Sequence, residues 1–207
     1  MPHVSLRQLT DAIASGPALV SFLTDTVPAL ATRPDQAALI YAAKGRPPSK
    51  PLILMGASLA DLLPYVAGDE AERQAWQAVT RQHWPGQLTL VLPASERVPA
   101  ALNPAGTGTL GIRVPNHPVA LEVLTRTGPL ATTSANFSGQ PPITEMAEIA
   151  RAFPTALTLL EPAPGSEVAQ PASSGQPSTV AQWCLESIGG DPSGSQWKIL
   201  RQGAIRL

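Results

Sequence analysis

Charge is what this chain has least of. Only 14% of its 207 residues are charged, and 14 Lys and Arg stand against 15 Asp and Glu for a net charge of -1. Such a chain has no global positive field with which to grip nucleic acid or an anionic membrane surface, so any anion site has to be local. A single cysteine, Cys184, excludes an internal disulfide, and together with three scattered histidines it excludes a thiolate zinc cluster. A reducing, cytoplasmic setting fits that composition. No run approaches the roughly 18 apolar residues of a membrane span, and the opening MPHVSLRQLTDAIASG has no signal-peptide core. Three catalytic signatures are missing as well: the GxxxxGK[ST] phosphate loop, the GxGxxG dinucleotide fingerprint and the GxSxG nucleophile elbow. His83 and His117 lack metal-ligand spacing and read as structural or surface residues, and Trp76, Trp84, Trp183 and Trp197 read as core or interface aromatics.

What is present is apolar material, 43% of residues, enough to bury a core within one domain over 1–207. Ser5 caps a predicted helix over 6–15, and ALVSFL, 18–23, is a short buried strand. A helix opens near Pro34 and stops at Gly45, PLILM at 51–55 is a strand, and helices follow over 58–67 and 69–83, the second capped by Asp69. QLTLVLP, 87–93, and TLGIRVP, 109–115, alternate as strands, and Asn116 caps a helix to Arg126 with Pro118 in its first turn. GPLATT at 128–133, a helix over 144–152, a strand over 156–160 and the late strands STVAQW and QWKILR complete the count. The stretch 161–177, rich in Pro, Gly, Ser and Ala, is expected to be a long, mobile loop. Alternation early and strands late predict an α/β fold: a twisted mixed sheet with flanking helices.

Two of the chain's three lysines, Lys44 and Lys50, flank Arg46 in the proline-stiffened KGRPPSKP. Stiff loops lose less entropy on binding, and a guanidinium fork beside compact ammonium charges suits phosphate. The alternative is a solvated turn. In TTSANFSG, Thr132, Thr133, Ser134, Asn136 and Ser138 place five short hydrogen-bonding side chains within seven residues directly after a buried strand. That density suits phosphate or ribose oxygens, and the alternative is an ordinary polar turn. Arg113 lies in the otherwise uncharged GTLGIRVP, which favours a side chain pointing into a site over one on the surface.

In this order, KGRPPSKPLILM, WPGQLTLVLPA, GTLGIRVPNHPVA, GPLATTSANFSGQPP, PSTV and ILRQGAI make the chain resemble the Sua5/YciO/YrdC family over nearly its whole length. The resemblance implies a wide polar cleft and L-threonylcarbamoyladenylate synthesis from L-threonine, bicarbonate and ATP, with Mg²⁺ arriving on the nucleotide. It assigns Lys44, Arg46 and Lys50 to catalysis as the cations that steady the phosphates. Lys44, Arg46, Thr109, Ser134, Asn136, Ser138 and Arg201 fall to ATP, and Thr24, Thr26, Arg113, Thr132 and Ser178 to threonine. The product would pass to tRNA-modifying transferase partners, with weak or no direct tRNA binding. Where typical members read close to PTDTVYGL this chain reads LTDTVPAL, with Leu23, Pro28 and Ala29 as departures; Ala42 and Met55 depart too. A YciO-like paralogue with another substrate and a double-stranded RNA-binding module stand as alternatives.

Overall fold

The structure is a computed structural model that describes residues 3–159, 173–184 and 196–207. Among them run β1 (His3–Val4), α1 (Leu6–Ser15), β2 (Leu19–Phe22), β3 (Ala29–Thr32), α2 (Ala38–Lys44), β4 (Ile53–Met55), α3 (Leu59–Leu62) and α4 (Glu70–His83). Then come β5 (Leu88–Pro93), β6 (Thr109–Arg113), α5 (Pro118–Thr127), β7 (Leu130–Ser134), α6 (Met146–Ala152), β8 (Ala156–Leu159), β9 (Thr179–Trp183) and β10 (Trp197–Arg201).

Local chemistry explains most boundaries. Ser5 and Asp69 each close a capping box, with Gln8 and Glu72 respectively, so the first backbone N–H groups of α1 and α4 find acceptors. Gly45 ends α2 in the left-handed region at φ 58, turning its N–H back onto Ala42 and Tyr41 carbonyls. Three expectations need correction. The cap of α5 is His117, not Asn116; it makes no side-chain capping bond, and Pro118, whose fixed φ suits a first helical position, follows it. The helix expected over 58–67 is only the four residues of α3 followed by a 3₁₀ turn at Leu63–Tyr65, since Pro64 cannot donate the next helical bond. The sequence reading missed β3 and β1. ALAT has little intrinsic strand preference and becomes a strand because β2 and β7 pair with it on both sides.

All ten strands form one mixed sheet in the order β1-β8-β2-β3-β7-β4-β6-β5-β9-β10. Residues opposite one another share a face. Leu54 faces Ala131 and Ile112, and these enter the larger core with Ile40 of α2 and Trp76 of α4. Met55 faces Leu130 on the other side, in a second core with Leu9 and Ile13 of α1 and Val123 and Leu124 of α5. Ala29 and Met55 belong both to that second core and to the wall of a cleft, so the cleft opens where α1 and α5 stop covering the sheet. Of the loop expected at 161–177, residues 161–172 lie outside the described residues. The part that is described lies against the 24–26 loop: Ser174 and Gly175 donate backbone N–H to the Asp25 and Thr26 carbonyls at 3.1 and 2.9 Å.

Candidate functional site

The cleft of 160 Å³ is walled by β3, β4, β6 and β7 and closed by Pro177, Ser178 and Arg201. It gathers three arginines, Arg46, Arg113 and Arg201, with the hydroxyl residues Thr26, Thr132, Thr133, Ser134 and Ser178. A larger, open hollow of 810 Å³ between Leu63–Gly68 and Ala94–Arg97 holds none of the residues predicted to act. Its Arg73 Nε is already bonded to the Gly68 carbonyl at 2.9 Å.

Arg113 forms the floor. It sits at the end of β6 with only 3% of its surface exposed. Three of its five N–H donors are taken: Nε by the Gly86 carbonyl at 3.0 Å, Nη1 by Thr26 Oγ1 at 2.9 Å and Nη2 by Asp25 Oδ1 at 2.7 Å. Gly86 donates its own N–H to the Val114 carbonyl at 2.9 Å, so the 84–87 turn is clipped to the end of β6 on both sides. Burial pulls the Arg113 pKa below the ordinary arginine value and Asp25 opposes that pull, so the pair offsets the cost of holding a charge away from water. Thr26 accepts from Arg113 and is 3.1 Å from Thr24 Oγ1, which donates to the Val27 carbonyl at 2.7 Å. Each hydroxyl has one proton, so the order Arg113 to Thr26 to Thr24 to Val27 follows. The Thr24 hydroxyl is thereby used inside its own turn, and Thr26 is the one that lines the cleft.

At the rim, the Lys50 N–H closes a turn on the Pro47 carbonyl at 3.0 Å. Arg46 grips that turn through the Lys50 and Pro51 carbonyls at 2.9 and 2.8 Å. Lys50 is exposed and acts here through its carbonyl; its side chain is not among those lining the cleft. Lys44, only 3% exposed, enters from the α2 side and its Nζ donates to the Ser134 carbonyl, Asn136 Oδ1 at 3.2 Å and Thr133 Oγ1 at 3.4 Å. Burial, and then Arg46, pull its pKa down to about 7, while three acceptors match the three N–H of the ammonium form. Asn136 donates to the Phe137 and Gln140 carbonyls and accepts from Ser134 Oγ at 2.5 Å, and Lys44 is the centre of that turn.

Thr132 lines the cleft with its hydroxyl on the Ile53 carbonyl at 3.1 Å. Ser178 Oγ lies 2.8 Å from Thr89 Oγ1 and accepts from Arg201 Nη2 at 3.2 Å, while the Ser178 carbonyl takes Arg201 Nε at 3.0 Å. A bulge between Ile199 and Arg201 shifts the register, so that Arg201 pairs with Val180, two residues after Ser178. The following tail is sewn to Thr179, and a Cβ on Gly203 would lie 2.5 Å from the Thr179 nitrogen, so only glycine permits this approach. Thr109 and Ser138 are not brought to the cleft wall: Thr109 Oγ1 is 3.2 Å from Thr107 Oγ1, and Ser138 contributes its N–H to the Lys44 carbonyl. Sequence reading missed Asp25, Gly86 and Thr89 as partners of the site residues; for Asp25 the usable signal was its place between two site threonines. Among the described residues no group of three His, Cys, Asp or Glu is placed to hold a metal ion, and no helix is long and apolar enough to cross a membrane.

Comparison with known proteins agrees with this architecture. Residues 12–203 match the Sua5_yciO_yrdC family model, described as telomere recombination. The chain is 38% identical over 148 residues to the threonylcarbamoyl-AMP synthase of Halorhodospira halophila, covering 70% of this chain and 75% of that protein. It is 40% identical over 139 residues to the Bacillus subtilis enzyme of the same name, 64% of this chain but 38% of that protein. The P. abyssi Sua5 complexed with L-threonine superposes with a TM-score of 0.76 at 28% identity, over 97% of this chain and 55% of that one. The chain thus spans well under two thirds of two of these relatives. E. coli YciO shares the fold, with a TM-score of 0.73 at 21% identity over 98% of this chain and 93% of that one.

Proposed function

The chain belongs to the Sua5/YciO/YrdC family, and from that membership together with the cleft we propose that it synthesises L-threonylcarbamoyl-AMP for the modification of a tRNA adenosine. One observation carries the reading: three guanidinium groups, from β6, β10 and the loop after α2, converge with hydroxyl side chains on one cleft. A carboxylate needs one such fork and a polyphosphate needs others. A relative with the same fold is complexed with L-threonine.

Arg113 holds the threonine carboxylate with the two N–H left to it, beside Thr26, Thr132 and Ser178. A cleft of 160 Å³ is smaller than the ~300–1,000 Å³ of whole-ligand pockets, so the nucleotide extends along the open rim past Arg46. There Arg46 and Arg201 face phosphate oxygens. Lys44 steadies the Ser134–Asn136 turn and supplies positive charge from beneath it, and Lys50 adds charge at the outer edge. The threonine amine combines with bicarbonate, losing water, to give a carbamate. Its oxygen then forms a bond to the α-phosphorus while the bond to the β-phosphate oxygen breaks, and pyrophosphate leaves. Placement and fixed cations dominate such a transfer. Mg²⁺ bound with the nucleotide supplies further charge neutralisation on the phosphates. A small soluble product handed to transferase partners in the cytoplasm requires no tight grip on tRNA, consistent with a net charge of -1.

The decisive assay incubates the protein with ATP, bicarbonate and each amino acid in turn and measures pyrophosphate and adenylate products. Threonine-dependent product is expected. ATP turnover without threonine preference would replace this reading with a paralogue of altered substrate, which the cleft-lining departures Ala29 and Met55 would explain. Salt-sensitive duplex RNA binding without turnover would replace it with an RNA-binding module.

A further inference from the structure

We propose that Asp25 and His117 form a buried positioning pair for Arg113, holding its guanidinium in the orientation that presents its two remaining N–H groups to a substrate carboxylate. The proposal deepens the threonine reading and rests on it. Five buried side-chain polar atoms lack a partner among the described residues, and three belong to these two side chains: Asp25 Oδ2 and both ring nitrogens of His117. Buried polar atoms left unpaired are costly, so a concentration of them beside a substrate-binding arginine asks for a reason.

Their chemistry is complementary. Asp25 uses Oδ1 on Arg113 Nη2 and has Oδ2 to spare. A neutral imidazole carries one donor, and His117 is 1% exposed with neither nitrogen bonded. Burial lowers the His117 pKa and the Asp25 charge opposes that, so the ring lies within electrostatic reach of this carboxylate. In the proposed pair a His117 N–H donates to Asp25 Oδ2 while Asp25 Oδ1 accepts from Arg113 Nη2, the arrangement by which a second residue orients a functional group.

The backbone of Asp25 is equally constrained. Its carbonyl accepts from Gln87 Nε2 at 2.8 Å and from the Ser174 N–H at 3.1 Å. The 24–26 loop, the 84–87 turn and the 173–175 segment thus all meet at the backbone of Asp25. Arg113 cannot pivot without disturbing them, and a guanidinium with a fixed plane loses no further freedom when a carboxylate docks.

The test uses the full chain, with equilibrium titrations of L-threonine and, separately, of a non-hydrolysable ATP analogue, alongside steady-state KM and kcat. Asp25→Asn keeps the volume and removes the charge; it is expected to weaken L-threonine by about tenfold or more while nucleotide affinity stays within about twofold. His117→Ala should move the same constant in the same direction by about threefold to tenfold. His117→Gln, which keeps an N–H donor, should restore most of that loss. The double variant should be no weaker than Asp25→Asn alone, because residues acting as a unit are not additive. Unchanged L-threonine affinity in both single variants overturns the pair, as does an equal loss of threonine and nucleotide binding with a lowered melting temperature. Both of those outcomes leave the proposed function standing. A wild-type chain that binds nucleotide and no amino acid overturns the pair and the proposed function together.

Discussion

The two ends of the cleft hold arginine in opposite ways. At the floor Arg113 is buried, ion-paired to Asp25 and bonded through three N–H groups to partners that lie 27, 87 and 88 residues away in sequence. At the rim Arg46 is half-exposed and bonds to two carbonyls only four and five residues away, in its own loop. The floor spends its neighbours on keeping a charge where water cannot, and the rim leaves its charge to the solvent and to whatever arrives. Removing the floor arginine should therefore damage the fold as well as binding, while removing the rim arginine should damage binding alone.

Arg113→Ala gives the largest effect: Asp25 is left as an uncompensated buried charge, for a loss of about 3–5 kcal/mol in urea unfolding together with loss of L-threonine binding. A stability change under about 1 kcal/mol would erase the contrast between the two ends. Lys44→Met comes next, at about 1–3 kcal/mol, because the Ser134 carbonyl and Asn136 Oδ1 lose their donor. Lys44 also makes a pH test. Its folded pKa of about 7 lies below the 10.5 of an ordinary, solvated lysine. Below 7 both states carry the proton and the burial penalty stands in full. Between 7 and 10.5 the unfolded chain holds more protons than the folded one, so stability rises with pH. Unfolding free energies measured from pH 7.5 to 9.5 should slope upward in the wild type by up to about 1 kcal/mol per pH unit and flatten in Lys44→Met. Nucleotide binding that needs the ammonium form should fall over the same range. Arg46→Ala should raise the KM for ATP by about tenfold or more with under about 0.5 kcal/mol of lost stability. Lys50→Ala is the smallest change, within about twofold on the same KM, since the backbone carbonyl at that position is what holds Arg46.

The same contrast explains what could be read in advance. The rim was legible because its signal is local: two scarce lysines and an arginine among three prolines, then a strand. The TSAN turn was legible too, as a dense run of short polar side chains, although its lysine proved to lie beneath it rather than on its surface. Arg113 stood out as a lone charge in an apolar strand, but nothing in its surroundings pointed to Gly86, and Asp25 was visible only as the middle of TDT. Thr109 and Ser138 carry suitable hydroxyls, and the fold gives those side chains no place on the cleft wall.

The sequence by itself determined the inventory of this protein: its α/β alternation, the helices with self-contained caps at Ser5 and Asp69, the stop at Gly45, and the motifs that bring cations and hydroxyls to strand ends. Those features depend on residues within one turn or one strand of each other. The tertiary structure alone decided that ALAT would be a central strand, that Lys44 would serve as a buried pillar and that Asp25, Thr26 and Gly86 would surround Arg113. Each of those outcomes depends on burial and on partners distant in the chain, and no local pattern of side chains encodes which distant carboxylate or carbonyl a buried charge will meet.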